Sequence, residues 1–401
     1  MALVIQKYGG TSVANAERVK AVAKRVVERK RNGDNVVVVV SAPAGLTDEL
    51  INKAKAISSK PDKRELDMLL CTGEQVSVAL LAMAIKELGE KAISYNAHQI
   101  KIRTTNSHTN AQITEIDTKK IESKLKNNHI VIVCGFQGIN DIDDLTTLGR
   151  GGSDTTGVAL GVALKADTVE IYTDVDGVYT ADPRIVANPK KLEKISFDEM
   201  LELAGTGAKV LHSRSVELGY KYNVPIHLRS SFDESEGTIV CNKELIEEEK
   251  VVTGISHKLG ESLIIFEGIL NTPKIASAVF NKISENGIFV EIITQGAGKG
   301  INTDLSFVTK NECFDEAILL AKELALDIGV SNVKGIKNLS MISLVGNIEK
   351  DKLGVLNKVL LILEEENVKP LILTATDLKI SIVIEEIFLK KIINLLHKNL
   401  I

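Results

Sequence analysis

Five valines in a row, Val36 to Val40, constrain this chain more than any other feature. A helix repeats its apolar residues every 3.6 positions and a half-solvated strand alternates them, so an unbroken β-branched run fits a strand buried on both faces. Such a strand needs parallel neighbours and helices above and below. The flanking sequence offers both. Leu3–Ile5 reads as a short buried strand ending at Lys7, a charged helix covers about Ala16 to Arg31, and Gly33-Asp34 is a turn. Another helix starts near Thr47, where Thr47, Asp48 and Glu49 give its first turn capping and acidic character. Ile130–Cys134 and Thr168–Tyr172 are two further apolar strands. The alternation predicts an α/β fold, a mostly parallel central sheet with helices on both faces.

Near residue 250 the pattern changes to the order β-α-β-β-α-β, which then recurs. Strands at Leu263–Phe266, Ile288–Ile293, Leu305–Val308 and Asn332–Ile336 enclose helices at Pro273–Asn286 and Glu316–Leu326. Strands at Met341–Val345, Val368–Leu373 and Lys379–Val383 follow, with helices at Leu353–Glu366 and Leu389–His397. Two units of about 70 residues predict a pair of α+β ferredoxin-like (βαββαβ) modules. A chain of 401 residues exceeds one compact core, and the expected domains are 1–245, 246–338 and 339–401, with the acidic run Glu244–Lys250 at the first boundary.

Composition narrows the function classes. A formal net charge of -4 gives no global positive field for nucleic acid or an anionic membrane. Cys71, Cys134, Cys241 and Cys313 are too scattered for a metal site or disulfide framework, and the seven histidines show no ligand spacing. No protein metal site is expected. Neither a signal peptide nor a run of roughly 18 apolar residues is present, which makes the cytoplasm the expected compartment.

Several loops carry chemistry-bearing residues. Lys7-Tyr8-Gly9-Gly10-Thr11-Ser12 joins a buried strand to a helix, so its backbone N–H groups and Lys7 could hold an anion; a plain tight turn is the competing reading. Thr146 to Gly157 combines glycines, hydroxyls, Arg150, Ser153 and Asp154 ahead of an apolar helix. Asp154 alone could be a cap, but a cap needs neither Arg150 nor three neighbouring glycines. Thr173-Asp174-Val175-Asp176-Gly177-Val178-Tyr179-Thr180-Ala181-Asp182-Pro183-Arg184 follows a buried strand, where acids can hold Mg²⁺ with phosphate oxygens and Arg184 can meet a phosphate. A calcium loop is rejected because its later ligand positions are missing. Glu74, in Gly73-Glu74-Gln75, either orients a substrate amine or complements a helix N-terminus. Gly207-Ala208-Lys209 offers a second loop lysine.

Taken together, and in order, these motifs resemble the aspartokinase branch of the amino-acid kinase family. Ser41 with Thr47-Asp48-Glu49-Leu50, Gly135-Phe136-Gln137-Gly138 and Arg229-Ser230-Ser231 extend the likeness, and the C-terminal repeat resembles that family's paired ACT domains. The resemblance implies transfer of the γ-phosphate of ATP, with Mg²⁺, to the β-carboxylate of L-aspartate, the first step towards lysine, threonine and methionine. It implies catalytic roles for Lys7, Asp154 and Lys209, and aspartate binding by Ser41, Thr47, Glu74, Arg150 and Ser153. It places the nucleotide at Lys7, Gly9, Gly10, Ser12, Thr173, Asp174, Tyr179, Asp182, Arg184 and Lys209. Phosphoryl transfer to a carboxylate needs positioning and charge neutralisation rather than a general base.

Departures from the family pattern are Tyr8 for the usual Phe, Ser213 for the usual Pro, and Pro43-Ala44-Gly45 after Ser41-Ala42. The regulatory half departs further, at Glu291, Gln295-Gly296, Gly346-Asn347 and Thr374 to Asp377. Feedback by lysine or threonine is expected near Asn271, Lys274, Ile275, Glu291 and Gln295, and a homodimer through the ACT domains is expected because sheet edges there need a partner. The rival readings are another amino-acid kinase, such as an acetylglutamate or glutamate 5-kinase, and a catalytically dead amino-acid sensor.

Overall fold

The computed structural model describes residues 2–208, 210–246, 250–296, 301–330 and 332–401. The chain forms two compact units, one of Met1–Tyr179 and Lys190–Glu249, the other of Thr180–Pro189 and Lys250–Ile401.

In the first unit β1 (Leu3–Tyr8), α1 (Ala16–Arg31) and β2 (Asn35–Val40) are followed by α2 (Leu46–Ile57), α3 (Lys63–Leu70), α4 (Thr72–Glu87) and β3 (Ala92–Tyr95). Next come α5 (Ala97–Ile100), β4 (Ile102–Thr104), β5 (Ile113–Ile116), α6 (Lys119–Lys126), β6 (Ile130–Cys134), β7 (Gln137–Ile139) and β8 (Leu145–Thr147). The unit closes with α7 (Gly152–Leu164), β9 (Thr168–Thr173), β10 (Lys194–Ser196), α8 (Phe197–Gly205), α9 (Ser213–Tyr222), β11 (Ile226–Ser230) and β12 (Thr238–Cys241).

Eight strands make the main sheet, in the order β10-β12-β11-β9-β1-β2-β6-β3. All neighbours are parallel except β11 and β12. All five valines of β2 are fully buried, as their run predicts. Val36, Val38 and Val40 share one core with α1 and with Val78, Leu81 and Ile85 of α4. Tyr8 pairs with Val40 on one side and Tyr172 on the other, and Val40 with Cys134, so four parallel strands end level. Their loops therefore meet where the strand order reverses about β1, the usual crevice for ligands in such sheets. A small sheet, β5-β4-β7-β8, carries the glycine-rich turn that follows β8.

Three local expectations change. α2 begins at Leu46 behind Gly45, whose φ of 82° lets the chain turn, and no side chain caps it; Thr47, Asp48 and Glu49 lie inside its first turn. The N-terminus of α1 is capped by its own Asn15, which accepts from the Arg18 N–H at 3.0 Å, and a 3-10 turn, Gly10–Val13, separates it from the Lys7 loop. Lys63–Glu87 is long and apolar enough to cross a membrane by length and composition, although half of its most apolar window is buried. Counting only uninterrupted apolar residues overlooked it; its buried side chains pack on β2 and β6.

The second unit is one antiparallel six-stranded sheet in the order β14-β15-β13-β16-β18-β17. Its strands are β13 (Gly254–Leu270), β14 (Ile292–Gln295), β15 (Asn302–Lys310), β16 (Asn332–Val345), β17 (Ile372–Ala375) and β18 (Lys379–Glu385). The helices are α10 (Pro273–Glu285), α11 (Phe314–Asp327), α12 (Lys352–Glu365) and α13 (Leu389–Leu400). The two expected strands at Asn332–Ile336 and Met341–Val345 are one continuous strand, β16. Likewise β13 serves both repeats: Glu261–Leu270 pairs with β15 in the first, while Gly254–Lys258 pairs with Met341–Val345 in the second. Irregular register after Lys258 marks the change of repeat. The second module, expected from residues 339–401 alone, thus takes its edge strand beside Met341–Val345 from Gly254–Lys258.

Thr180–Pro189 also belongs to this unit. The Ile255 N–H donates to the Thr180 carbonyl at 2.7 Å, and Asn394 Nδ2 to the Ile185 carbonyl at 3.1 Å. Ala181 and Val186 are buried in the core formed with α12 and α13.

Candidate active site

Loops at the C-terminal ends of β1, β2 and β6 and the first turns of α4 and α7 enclose a cavity of about 300 Å³. It gathers Lys7, Gly10, Ser41, Thr47, Glu74, Arg150, Ser153 and Asp154, eight of the residues expected in the site. Lys7 stands at the end of a buried strand and its Nζ lies 2.5 Å from Asp154 Oδ1. Asp154 is not a cap: α7 is preceded by Gly151, no side chain caps it, and Asp154 sits inside the first helical turn with its carboxylate on Lys7. One carboxylate partner leaves the remaining Lys7 N–H groups to donate to a substrate anion. The backbone approaches closely here, since a Cβ on Gly10 would stand 2.7 Å from the Ala42 carbonyl oxygen.

Glu74 lies in the first turn of α4 and is only 3% exposed. Its Oε1 accepts from the Ala42 N–H at 3.1 Å, whereas its buried Oε2 has no hydrogen-bond partner of good geometry. Burial pushes the carboxyl up to about 7, opposed by the Ala42 N–H and by the Gln137 side chain. Complementing a helix N-terminus does not require burial at this depth. A buried carboxylate with one oxygen unmatched calls for a cationic partner. Arg150 is exposed at the tip of the glycine-rich turn on the same cavity.

Other expected residues lie elsewhere. Gly9 and Ser12 are behind the cavity: Gly9 donates to the Tyr172 carbonyl at 3.1 Å, and Ser12 Oγ meets Ser231 Oγ at 2.5 Å. Thr173 Oγ1 donates to Asp174 at 3.1 Å, and the Tyr179 hydroxyl to Asp176 at 3.0 Å, in the loop after β9. Asp182 and Arg184 are paired with each other at 2.7 Å in the second unit. Lys209 lies outside the described residues. Among the described residues, no three His, Cys, Asp or Glu side chains cluster as a metal site. Phe136 and Pro43, which line the cavity, stand in stretches compared with the family pattern but had no role assigned, because an apolar wall offers no chemistry to read from sequence. Gln137, in the same motif as Phe136 and also without a role, is fully buried, and its Nε2 donates to the Cys71 carbonyl at 2.5 Å.

In the second unit, Gln295 Nε2 donates to Asn271 Oδ1 at 2.9 Å beside the exposed Lys274. Ile275 packs against the core of the first repeat. Glu291 is held by Lys258 at 2.5 Å, with Lys310 at 4.0 Å.

The site therefore presents a lysine–carboxylate pair, an exposed arginine and, among the described residues, an unsatisfied buried carboxylate, at the strand ends where phosphate-handling α/β enzymes bind ligands. Comparison with known proteins agrees. Residues 2–230 match the profile of the Amino acid kinase family. An aspartate kinase of Stutzerimonas stutzeri is 42% identical over 99% of this chain and 97% of its own length. Aspartokinase 2 of Bacillus subtilis is 42% identical over the same shares. The crystal structure of E. coli aspartokinase III with aspartate and ADP superposes with a TM-score of 0.79 at 26% identity, covering 99% of each chain. The chain belongs to the amino acid kinase family and, by a full-length likeness of this degree, to that family's aspartate kinases. It is a phosphotransferase of amino-acid metabolism, using ATP with aspartate as acceptor.

Proposed function

We propose that the three charges of L-aspartate are read by three groups of the cavity. The α-ammonium meets Glu74 Oε2, the α-carboxylate meets Arg150, and the β-carboxylate faces Lys7. The observation that carries this reading is the orphaned, buried Oε2 of Glu74, which an ammonium would satisfy. Ser41, Thr47 and Ser153 supply hydroxyls around the same cavity. A β-carboxylate oxygen attacks the γ-phosphorus in line, the bond to the bridging oxygen breaks, and ADP leaves. The acceptor is ionised from the start, so no side chain takes a proton.

Lys7 neutralises charge on the transferring group, oriented by Asp154, and Lys209 contributes a second ammonium. Gly10, on the loop that Gly9 and Ser12 hold from behind the cavity, cradles the phosphates, while Thr173, Asp174 and Tyr179 hold the rest of the nucleotide. Asp182 and Arg184, joined in an ion pair of their own, complete the nucleotide set in this reading. Mg²⁺ would be held mainly by phosphate oxygens of the nucleotide, since the acids here are scattered, with Asp154 beside Lys7 the carboxylate that would assist. Its chemistry there is to neutralise the β- and γ-phosphate charge.

We further propose cytoplasmic catalysis by a homodimer formed through the two ACT domains, with the catalytic domain at 1–245. The edge strands β14 and β17 have one neighbour each, and Phe289 just before β14 and Ile293 within it are 65% and 54% exposed. Light scattering should give twice the chain mass, and a monomer at assay concentration would defeat this. An amino-acid effector, lysine or threonine, is proposed at Asn271, Lys274, Ile275, Glu291 and Gln295. E. coli aspartokinase III has been crystallised with lysine and aspartate, at a TM-score of 0.79 and 26% identity to this chain. Calorimetric titration should show heat with one of the two, lost in Glu291→Gln; no heat with either would sink the assignment.

The central test is ADP release from Mg-ATP with L-aspartate, succinate, L-glutamate or N-acetyl-L-glutamate. Aspartate should be the good acceptor. Succinate, which lacks the ammonium, should be poor in the wild type, and Glu74→Gln should erase that discrimination. An unchanged preference in Glu74→Gln would remove Glu74 from the amine.

A further inference from the structure

The turn after β8 bears Arg150 but has little stiffness of its own. Gly149 and Gly151, on either side of Arg150, have φ of 77° and 72°, a region glycine enters and leaves freely. What holds Arg150 in place must come from outside the turn. The strongest clamp is Arg214, in the first turn of α9. Its Nη1 donates to the Leu148 carbonyl at 2.6 Å and to Asn110 Oδ1 at 3.2 Å, and its Nη2 to the Ala111 carbonyl at 2.9 Å. The Ala111 N–H in turn donates to the Thr147 carbonyl at 2.9 Å. One planar guanidinium thus fastens the start of the turn to the neighbouring segment.

Two more contacts close the grip. The buried carboxylate of Asp67 accepts from Thr147 Oγ1 at 2.6 Å and from the Thr109 N–H at 3.0 Å, which ties the end of β8 to the same neighbouring segment. His212, two residues before Arg214, lies so close that a Cβ on Gly151 would be 2.2 Å from its Cγ. Arg214 itself does not line the cavity. We propose that Arg214 is a positioning residue for aspartate binding, acting through Arg150 by locking the Leu148–Gly152 turn. The proposal rests on the reading of Arg150 as the anchor of the substrate α-carboxylate. A guanidinium offers rigid, diverging donors, so it can hold two carbonyls at once; an ammonium at the same place cannot reproduce that fork. An error of about 1 Å in a positioning group costs up to about 10²-fold.

The test is a double-mutant cycle on the full-length enzyme, using Arg214→Lys, Arg150→Ala and the pair, with KM measured for aspartate and for ATP. Arg214→Gln, which keeps an amide donor without the fork, replaces Arg214→Lys if the latter does not fold. Arg214→Lys should raise KM for aspartate about tenfold, leave KM for ATP within about twofold, and add nothing in the Arg150→Ala background. Additive effects, or equal rises in both KM values, would overturn the positioning role while leaving Arg150 as the anchor. A normal KM for aspartate in Arg150→Ala would overturn it by removing the anchor itself.

Discussion

Two buried glutamates, on opposite sides of the central strands, show how the same residue type becomes structural or functional. Glu170 on β9 is 2% exposed and Glu74 on α4 is 3% exposed. Glu170 is matched on every side: Gln6 Nε2 donates to it at 2.8 Å, the Tyr172 hydroxyl at 3.0 Å, and Arg29 and Arg229 lie 3.6 Å and 4.0 Å away. The arginines border a second cavity of about 230 Å³ and serve as its counter-ions. Glu74 has one oxygen matched and one left over, in the cavity that holds Lys7 and Arg150. Successive residues of β1 point to opposite faces, so Gln6 serves the first glutamate and Lys7 the second cavity's opposite number, the candidate site. A buried charge that is fully partnered holds a fold together; one with an open position waits for a ligand.

The comparison can be broken by mutation. Lys7→Ala should lower kcat by about 10²–10³, the scale for losing one charged stabiliser of the transition state. A nearly normal kcat would move Lys7 away from the phosphates. Glu74→Gln should raise KM for aspartate by about 10–100-fold, the cost of losing a charge-assisted hydrogen bond, with no loss in melting temperature. pH should trace the same group. With a carboxyl near 7, aspartate affinity rises as pH rises through 7 and falls by roughly tenfold by pH 6, because only the ionised form holds the ammonium. The stability sign is opposite. A carboxyl raised by burial favours the protonated native state, so ligand-free stability falls as pH increases towards 7. An aspartate KM flat from pH 6 to 8, with ATP saturating, would contradict the assignment. Glu170→Gln should leave both KM values within about twofold yet cost about 1–3 kcal/mol of unfolding free energy, since buried donors lose their charged acceptor. If Glu170→Gln impaired aspartate binding and Glu74→Gln only stability, the distinction between the two would collapse.

The parallel sheet was legible because β2 and β6 are apolar on both faces, a pattern that only a doubly covered strand produces. The cavity was legible because its polar residues cluster at strand ends. Gly10, Glu74, and Arg150 with Asp154 come together from three segments, as their motifs imply. What the sequence hid follows from long-range pairing. Nothing local tells Gly254–Lys258 to join Met341–Val345, 83 to 91 residues on. Thr180–Pro189 reads as a continuation of the loop after β9, although its apolar Ala181 and Val186 find their core beside α12 and α13. Tyr8 looked like a mild change of an aromatic; its hydroxyl in fact donates to Gln6 Oε1 at 3.2 Å, joining the Glu170 network. Helix starts misread as side-chain caps, such as that of α2, are made by a glycine backbone instead.

The strand shared by the two repeats has a consequence for synthesis on the ribosome. Gly254–Lys258 leaves the exit tunnel long before Met341–Val345 exists, so the second repeat must wait for a partner made earlier while the first one folds in between. A fragment cut at 338/339 would leave the C-terminal piece with an open edge along Met341–Val345. Such a piece should aggregate when made alone and become soluble when a peptide covering Gly254–Lys258 is supplied in trans.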